Sequence, residues 1–140
     1  MIILILRSTA AIVLSLAVAI AMVVGVEVLS SVLHPWPEDF AGTREEVARQ
    51  VESYPAWILA FLGGVGWGAT MLVSTYLATR LGSRRHPAHG YGVATFAIAM
   101  VVFNLSMLPY PVWFWIFMLV VMPAAAFLGI HLGKARPALN

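Results

Sequence analysis

Cysteine is absent from this 140-residue chain. That excludes disulfides, thiolate metal sites and cysteine redox chemistry, and it removes cysteine usage as a guide to compartment. Charge is scarce too. Lys and Arg number 8 and Asp and Glu 6, together 10% of residues, where about 25% is usual for a soluble domain. The basic residues sit mostly at the ends of apolar runs, so there is no stripe that would track a nucleic-acid backbone, and no nucleic-acid partner is expected. No second carboxylate, nucleophile–base pair or ligand cluster accompanies Glu27, the acid of the first apolar run, and with His34 it could supply two metal ligands at most, where a site needs about four. No cofactor and no metal are therefore expected. Heptads, solenoid repeats and low-complexity tracts are missing as well.

What remains is apolar: 61% of residues, with a mean hydropathy of +0.92. The expected fold class is all-α, a polytopic membrane protein of one domain built as a four-transmembrane-helix bundle. A first span over about 7–33 follows from the uncharged run Ser8 to Val26, close to the ~20 residues that cross a ~30 Å hydrocarbon core. Ala17-Val18-Ala19 and Ala19-Ile20-Ala21 have the small-x-small look of signal cleavage sites. The run has no basic segment before it and continues unbroken past both, so a retained helix is expected. His34-Pro35-Trp36-Pro37 ends it, because prolines break a helix.

An outer loop over 34–53 holds five of the six acids, against Arg44 and Arg49. Within it Thr43-Arg44-Glu45-Glu46 reads as a capping box, and Val47, Val51 and Tyr54 follow at helical spacing. A short amphipathic extracytoplasmic helix along the membrane surface is predicted. A second span covers about 54–79 and leads to a basic turn at 80–89. The uncharged stretch Gly90 to Ile130 is long enough for two spans, about 90–108 and 112–133. Pro109-Tyr110-Pro111 reverses the chain between them, and Pro123 predicts a kink in the last.

Four spans put Arg7, Arg80, Arg84, Arg85, Lys134 and Arg136 on one side. The positive-inside rule then places both termini in the cytoplasm, as in a bacterial inner-membrane protein. Trp36, Tyr54, Trp57, Tyr110, Trp113 and Trp115 form the expected outer aromatic belt, with Tyr76 and Tyr91 at the inner boundary. His86 and His89 are expected to be solvated or to touch headgroups in the basic turn, and His131 to anchor the interface. The scattered methionines read as packing.

Glu27 is the one acid outside the loop. Helical spacing puts it on one face with Ser31 and His34. At ~1.5 Å per residue it lies roughly 12 Å below the prolines that end its helix, and Asn104 roughly 7.5 Å below Pro109. The two therefore share a layer. A charge at the bilayer centre costs ~2.5–3.5 kcal/mol on insertion scales, so Glu27 should face the bundle. Three roles are open to it: an interhelical hydrogen-bond clamp, for example to Asn104; a proton- or cation-coupling site; or the acid or base of a lipid-modifying enzyme.

Ridges of small residues four apart predict close helix contact. They are Ala17, Ala21 and Gly25 in the first span, Ala60, Gly64 and Gly68 in the second, and Ala125, Gly129 and Gly133 in the fourth. The first span is the expected hub of the bundle. A Glu in the first of four helices resembles the small multidrug transporters. Its position near the helix end and the acidic loop after it depart from that pattern, so no functional residue carries over. Four-helix quinone reductases of the vitamin K type need paired cysteines and are excluded.

The expected function is non-enzymatic: an outward-facing polar pocket formed by Glu27, Asn104, Ser31 and His34 that binds or conducts a proton or small cationic solute. The alternative is an accessory subunit of a larger membrane complex, with Glu27 as a clamp. A lipid-modifying enzyme is third. Expected partners are the lipid bilayer and either a second copy or a larger membrane complex; the solute is not specified.

Overall fold

The computed structural model describes residues 1–134; Arg136 and Pro137 lie outside the described residues. The described chain is all-helical. In order come α1 (Ile2–Leu33), α2 (Arg44–Ser53), α3 (Ala56–Phe61), a π-helical turn (Leu62–Trp67), α4 (Gly68–Leu81), α5 (Ala88–Met107) and α6 (Val112–Gly133). The segment Ala56–Leu81, which joins α3, the π turn and α4, is one continuous second span. With α1, α5 and α6 it makes four helices long and apolar enough to cross a membrane. In lipid the backbone has no water to bond to, so such runs become helices even where Val and Ile abound.

The boundaries follow local chemistry. In α2 the capping box forms as read: the Glu46 N–H donates to Thr43 Oγ1, and the Thr43 N–H donates to Glu46 Oε2 at 3.0 Å. Pro55 stops α2 by pushing Tyr54 into extended backbone (φ −63°, ψ 126°). α1 starts five residues before the expected span and runs for 32 residues, about 48 Å at 1.5 Å per residue. Its first turns carry exposed Ile2, Ile3, Leu4 and Ile5 past the rest of the bundle. α6 continues through Pro123 without interruption.

Alternating directions gather α1's start, the arginine turn and Lys134 at one end. There the Arg7 Nε–H donates to the Leu81 carbonyl at 3.0 Å, and Ser8 Oγ lies 2.7 Å from Ser83 Oγ. His89 is not free at this end. Its Nε2 lies 2.9 Å from Ser8 Oγ and its Nδ1 2.8 Å from the His86 carbonyl, tying α5 to α1. His131 stacks on Phe127 (centroids 6.0 Å).

The hub is the second span, not the first. α4 packs against α6, α1 and α5 in turn, and 39% of the second span's apolar window is buried against 6% of α1's. Near the arginine end the contact is backbone-close. An added Cβ at Gly133 would stand 2.8 Å from Thr79 Cβ, and one at Gly129 would collide with the Leu72 carbonyl and Thr75 Oγ1. Gly90 of α5 closes on the same place, beside Thr79 Oγ1 and Ile130. The threonines live there because each hydroxyl donates to its own helix, Thr75 to the Met71 carbonyl at 2.7 Å and Thr79 to the Thr75 carbonyl at 2.8 Å.

The ridge Ala17, Ala21 and Gly25 is exposed, and nothing lies within 4 Å of a Cβ at Gly25. α1 instead buries Ala11, Ser15, Val26 and Ser30. Of its two buried hydroxyls, Ser15 donates to the Ala11 carbonyl of its own helix, and Ser30 bonds Tyr54 at the end of α2.

Candidate functional site: a cavity under the loop helix

At the end opposite the arginines, the four spans part around a cavity of about 530 Å³. Its floor and walls are large side chains: Phe114 and Met118 of α6, Leu59 of α3, Trp67 of the π turn and Leu105 of α5. The π turn is built for this position. Its glycines accept what faces them, Gly63 taking Phe114 and Met118, Gly64 taking Phe117, and Gly66 taking Val26 of α1. A wide turn re-aims the residues it carries, and Leu62, Gly63 and Trp67 all line the cavity.

The roof is the loop. α2 turns Val47 and Val51 into the cavity rather than toward lipid, so its apolar face covers the bundle. Gln50 locks it down. This buried amide donates from Nε2 to the carbonyls of His34 (3.1 Å) and Pro35 (3.3 Å), which cap the end of α1. Arg44 reaches the Met107 carbonyl across the rim at 3.5 Å.

Glu27 and Asn104 line this one cavity. They are not clamped together. The side-chain hydrogen bonds of their layer run from Ser31 Oγ to the Val28 carbonyl, from Ser106 Oγ to the Phe103 carbonyl and between Ser30 and Tyr54, leaving both out. Ser31 and His34, on the expected face with Glu27, do not line the cavity. Ser31 bonds back to its own helix, and His34 lies beyond the cavity in the cap, with Nε2 2.8 Å from Ser53 Oγ and its ring on Tyr54 (centroids 4.6 Å).

Three residues of the expected belt, Trp36, Tyr54 and Tyr110, line the cavity instead. Trp57 and Trp113 remain exposed, 63% and 40%. Tyr110 projects inward from the Pro109–Pro111 reversal. Burial pushes its phenol up to about 12, and the charges of Glu27 and Tyr54 add to the rise. Sequence reasoning missed Gln50 and Trp67 as parts of the site. The signal for Gln50 was its place at helical spacing within α2, one residue before Val51.

Among the described residues, Glu27 is the only acid in the lining, and Lys, Arg and His are absent from it. Among the described residues, no three His, Cys, Asp or Glu side chains are grouped to hold a metal ion. Chemically the cavity offers one carboxyl, two phenols, a hydroxyl and two amides between aromatic and aliphatic walls. Compared with family models, with curated proteins and with solved structures, the chain has no match.

Proposed function

We propose that this chain is a small non-enzymatic integral membrane protein whose loop-end cavity faces outward and binds a proton or small cationic solute, which it then passes inward. One observation carries the reading: the only carboxyl in the four spans opens into a 530 Å³ cavity whose lining, among the described residues, contains no cationic side chain. An uncompensated carboxylate at membrane depth is costly, and a bound cation offsets that cost. The gathering of Arg7, Arg80, Arg84 and Arg85 at the other end supports a cytoplasmic face there. Below the cavity the contact of Gly129 with Leu72 and Thr75 closes the bundle, so passage requires α4 and α6 to separate. Binding does not.

In proteoliposomes the wild-type protein gives pH-dependent cation or proton flux, and Glu27→Gln abolishes it while helicity and melting survive. Flux unchanged in Glu27→Gln refutes the reading. A second reading, an accessory subunit, is favoured by the exposed acids Glu38, Asp39, Glu45 and Glu52 of the loop, a surface suited to a basic partner. It predicts no flux, together with co-purification of a larger complex that reversing those four charges destroys.

A further inference from the structure

The cavity's walls say more than its charge. Inorganic cations are held by several oxygens that replace their water, about six to eight for calcium and six for magnesium. Here Glu27 is the one anionic ligand; the other side-chain oxygens are neutral, and those of Ser30 and Tyr54 already bond each other. The space is about 530 Å³, within the 300–1,000 Å³ typical of sites for drug-sized molecules. Six of the lining residues are aromatic, set among aliphatic ones such as Leu59, Val101 and Met118. Trp36 and Phe40 pair in the roof (centroids 4.2 Å), and Tyr110 and Phe114 pair at the side (5.2 Å). Tyr54 and Trp67 also line the cavity. Ring faces attract cations within about 6 Å of their centroids, and they do so best when the cation gives up little water on entering. Quaternary ammonium and charge-delocalised aryl cations meet that condition, and metal ions do not.

Charge count sets the valence. One carboxyl neutralises one positive charge, and a second buried charge would go unpaired at heavy cost. The acids of the roof do not help, because Asp39 and Glu46 line a separate hollow on the loop. Tyr110 and Glu27 line the same cavity, so an aromatic wall and the carboxyl face one space. α1 also meets α5 over much less of its length than it meets α4, and Glu27 is exposed while lining the cavity. The carboxyl is therefore reachable by a ligand with apolar bulk.

We infer that the cavity binds a hydrophobic organic monocation, with its charge beside Glu27 and its apolar groups against the Trp36–Phe40 and Tyr110–Phe114 walls. The inference rests on the cation reading above and names its ligand class. The test is calorimetry on the purified full chain in neutral detergent with two probes of one shape, benzyltrimethylammonium and its uncharged carbon analogue neopentylbenzene. The cation binds at least ten-fold tighter than the analogue. Glu27→Gln weakens the cation at least ten-fold and leaves the analogue unchanged, which also reports that the cavity has kept its fold. Trp67→Leu weakens the cation several-fold with Glu27 intact.

Equal binding of the two probes overturns the inference, and so does cation binding indifferent to Glu27→Gln. Glu27-dependent flux of protons or sodium without binding of benzyltrimethylammonium also overturns it, while leaving the broader cation reading in place. Glu27-dependent binding without flux upholds it and removes transport alone.

Discussion

Two glycines in small-residue ridges of identical spacing should respond oppositely to the same added methyl group. Gly25 and Gly129 both sit inside long helices, where replacing glycine by alanine gains ~0.5–1 kcal/mol of backbone entropy. At Gly25 a new Cβ meets nothing within 4 Å, so Gly25→Ala should stabilise by that amount. At Gly129 the methyl meets the Leu72 carbonyl and Thr75 Oγ1, with the Leu72 carbonyl carbon at 3.1 Å. The carbonyl is backbone and cannot rotate aside, so α4 and α6 must separate. Overpacking of this kind costs ~1–3 kcal/mol.

The entropy gain is common to both variants and cancels in their comparison. Gly129→Ala should therefore lie ~1–3 kcal/mol below Gly25→Ala, roughly a five- to 140-fold difference in unfolding equilibrium constant. Reversible unfolding in mixed micelles under an SDS titration, followed by tryptophan fluorescence, reads the difference directly. Equal destabilisation by the two variants would refute the reasoning. It would mean that the ridge Ala17, Ala21 and Gly25 is covered, and a dependence of the Gly25→Ala effect on protein concentration would identify a second copy as the cover.

Two further outcomes test the loop end. Tyr110, pushed up to about 12, should be the last tyrosine to ionise in an ultraviolet absorbance titration, and Tyr110→Phe should remove that step. Its raised value favours the folded state at pH below about 10, the ordinary value, and that contribution is lost as pH rises toward 12; Glu27→Gln should bring the step down without abolishing the rise, because burial is its larger cause. Thr43→Ala should cost the roof helix about 1 kcal/mol, seen as roughly five-fold faster amide exchange across residues 44–53. The Glu46 carboxyl, held below its usual value by the Thr43 N–H it accepts, stabilises α2 above the ordinary carboxylate range, and amide protection there should fall with acid.

Why some of this could be read from sequence and some could not comes down to which residues lipid constrains. The spans and their order were legible because unpaired backbone cannot cross hydrocarbon, and the prolines at 35, 37, 55, 109 and 111 stand where helices stop. The common layer of Glu27 and Asn104 was legible because depth in antiparallel helices follows from counting residues to their ends. Facing was not. α1, α5 and α6 are apolar nearly all round, so no polar face says which side turns inward. Small-xxx-small spacing permits close approach without naming a partner, which is why Gly129 and Gly133 meet α4 while Ala17, Ala21 and Gly25 meet nothing. The belt was ambiguous for the same reason. An aromatic at the depth of a helix end fits equally on the exposed surface, as Trp57 does, or in a cavity wall, as Tyr110 does.

Side-chain size, graded along the bundle, explains why the cavity exists at all. At the arginine end Gly90, Gly129 and Gly133 face Thr75 and Thr79, and the backbones of α4, α5 and α6 touch. Toward the loop end the facing residues become Met71 and Met122, then Phe114, Met118 and Trp67. Side chains of that size hold the spans apart, and the three glycines of the π turn with Gly68 let α1 and α6 stay close to the second span. The parted end must then be covered, because it exposes the buried phenol of Tyr110 and the carbonyls that end α1. Val47, Val51 and Gln50 cover it from one face of α2, while the acids of that helix and its loop point away. A single carboxyl, that of Glu27, is left opening into a largely apolar space that the rest of the fold keeps open. Filling the space is the discriminating perturbation: Leu59→Trp should displace any ligand while leaving the glycine–threonine contacts at the other end, and hence most of the stability, intact.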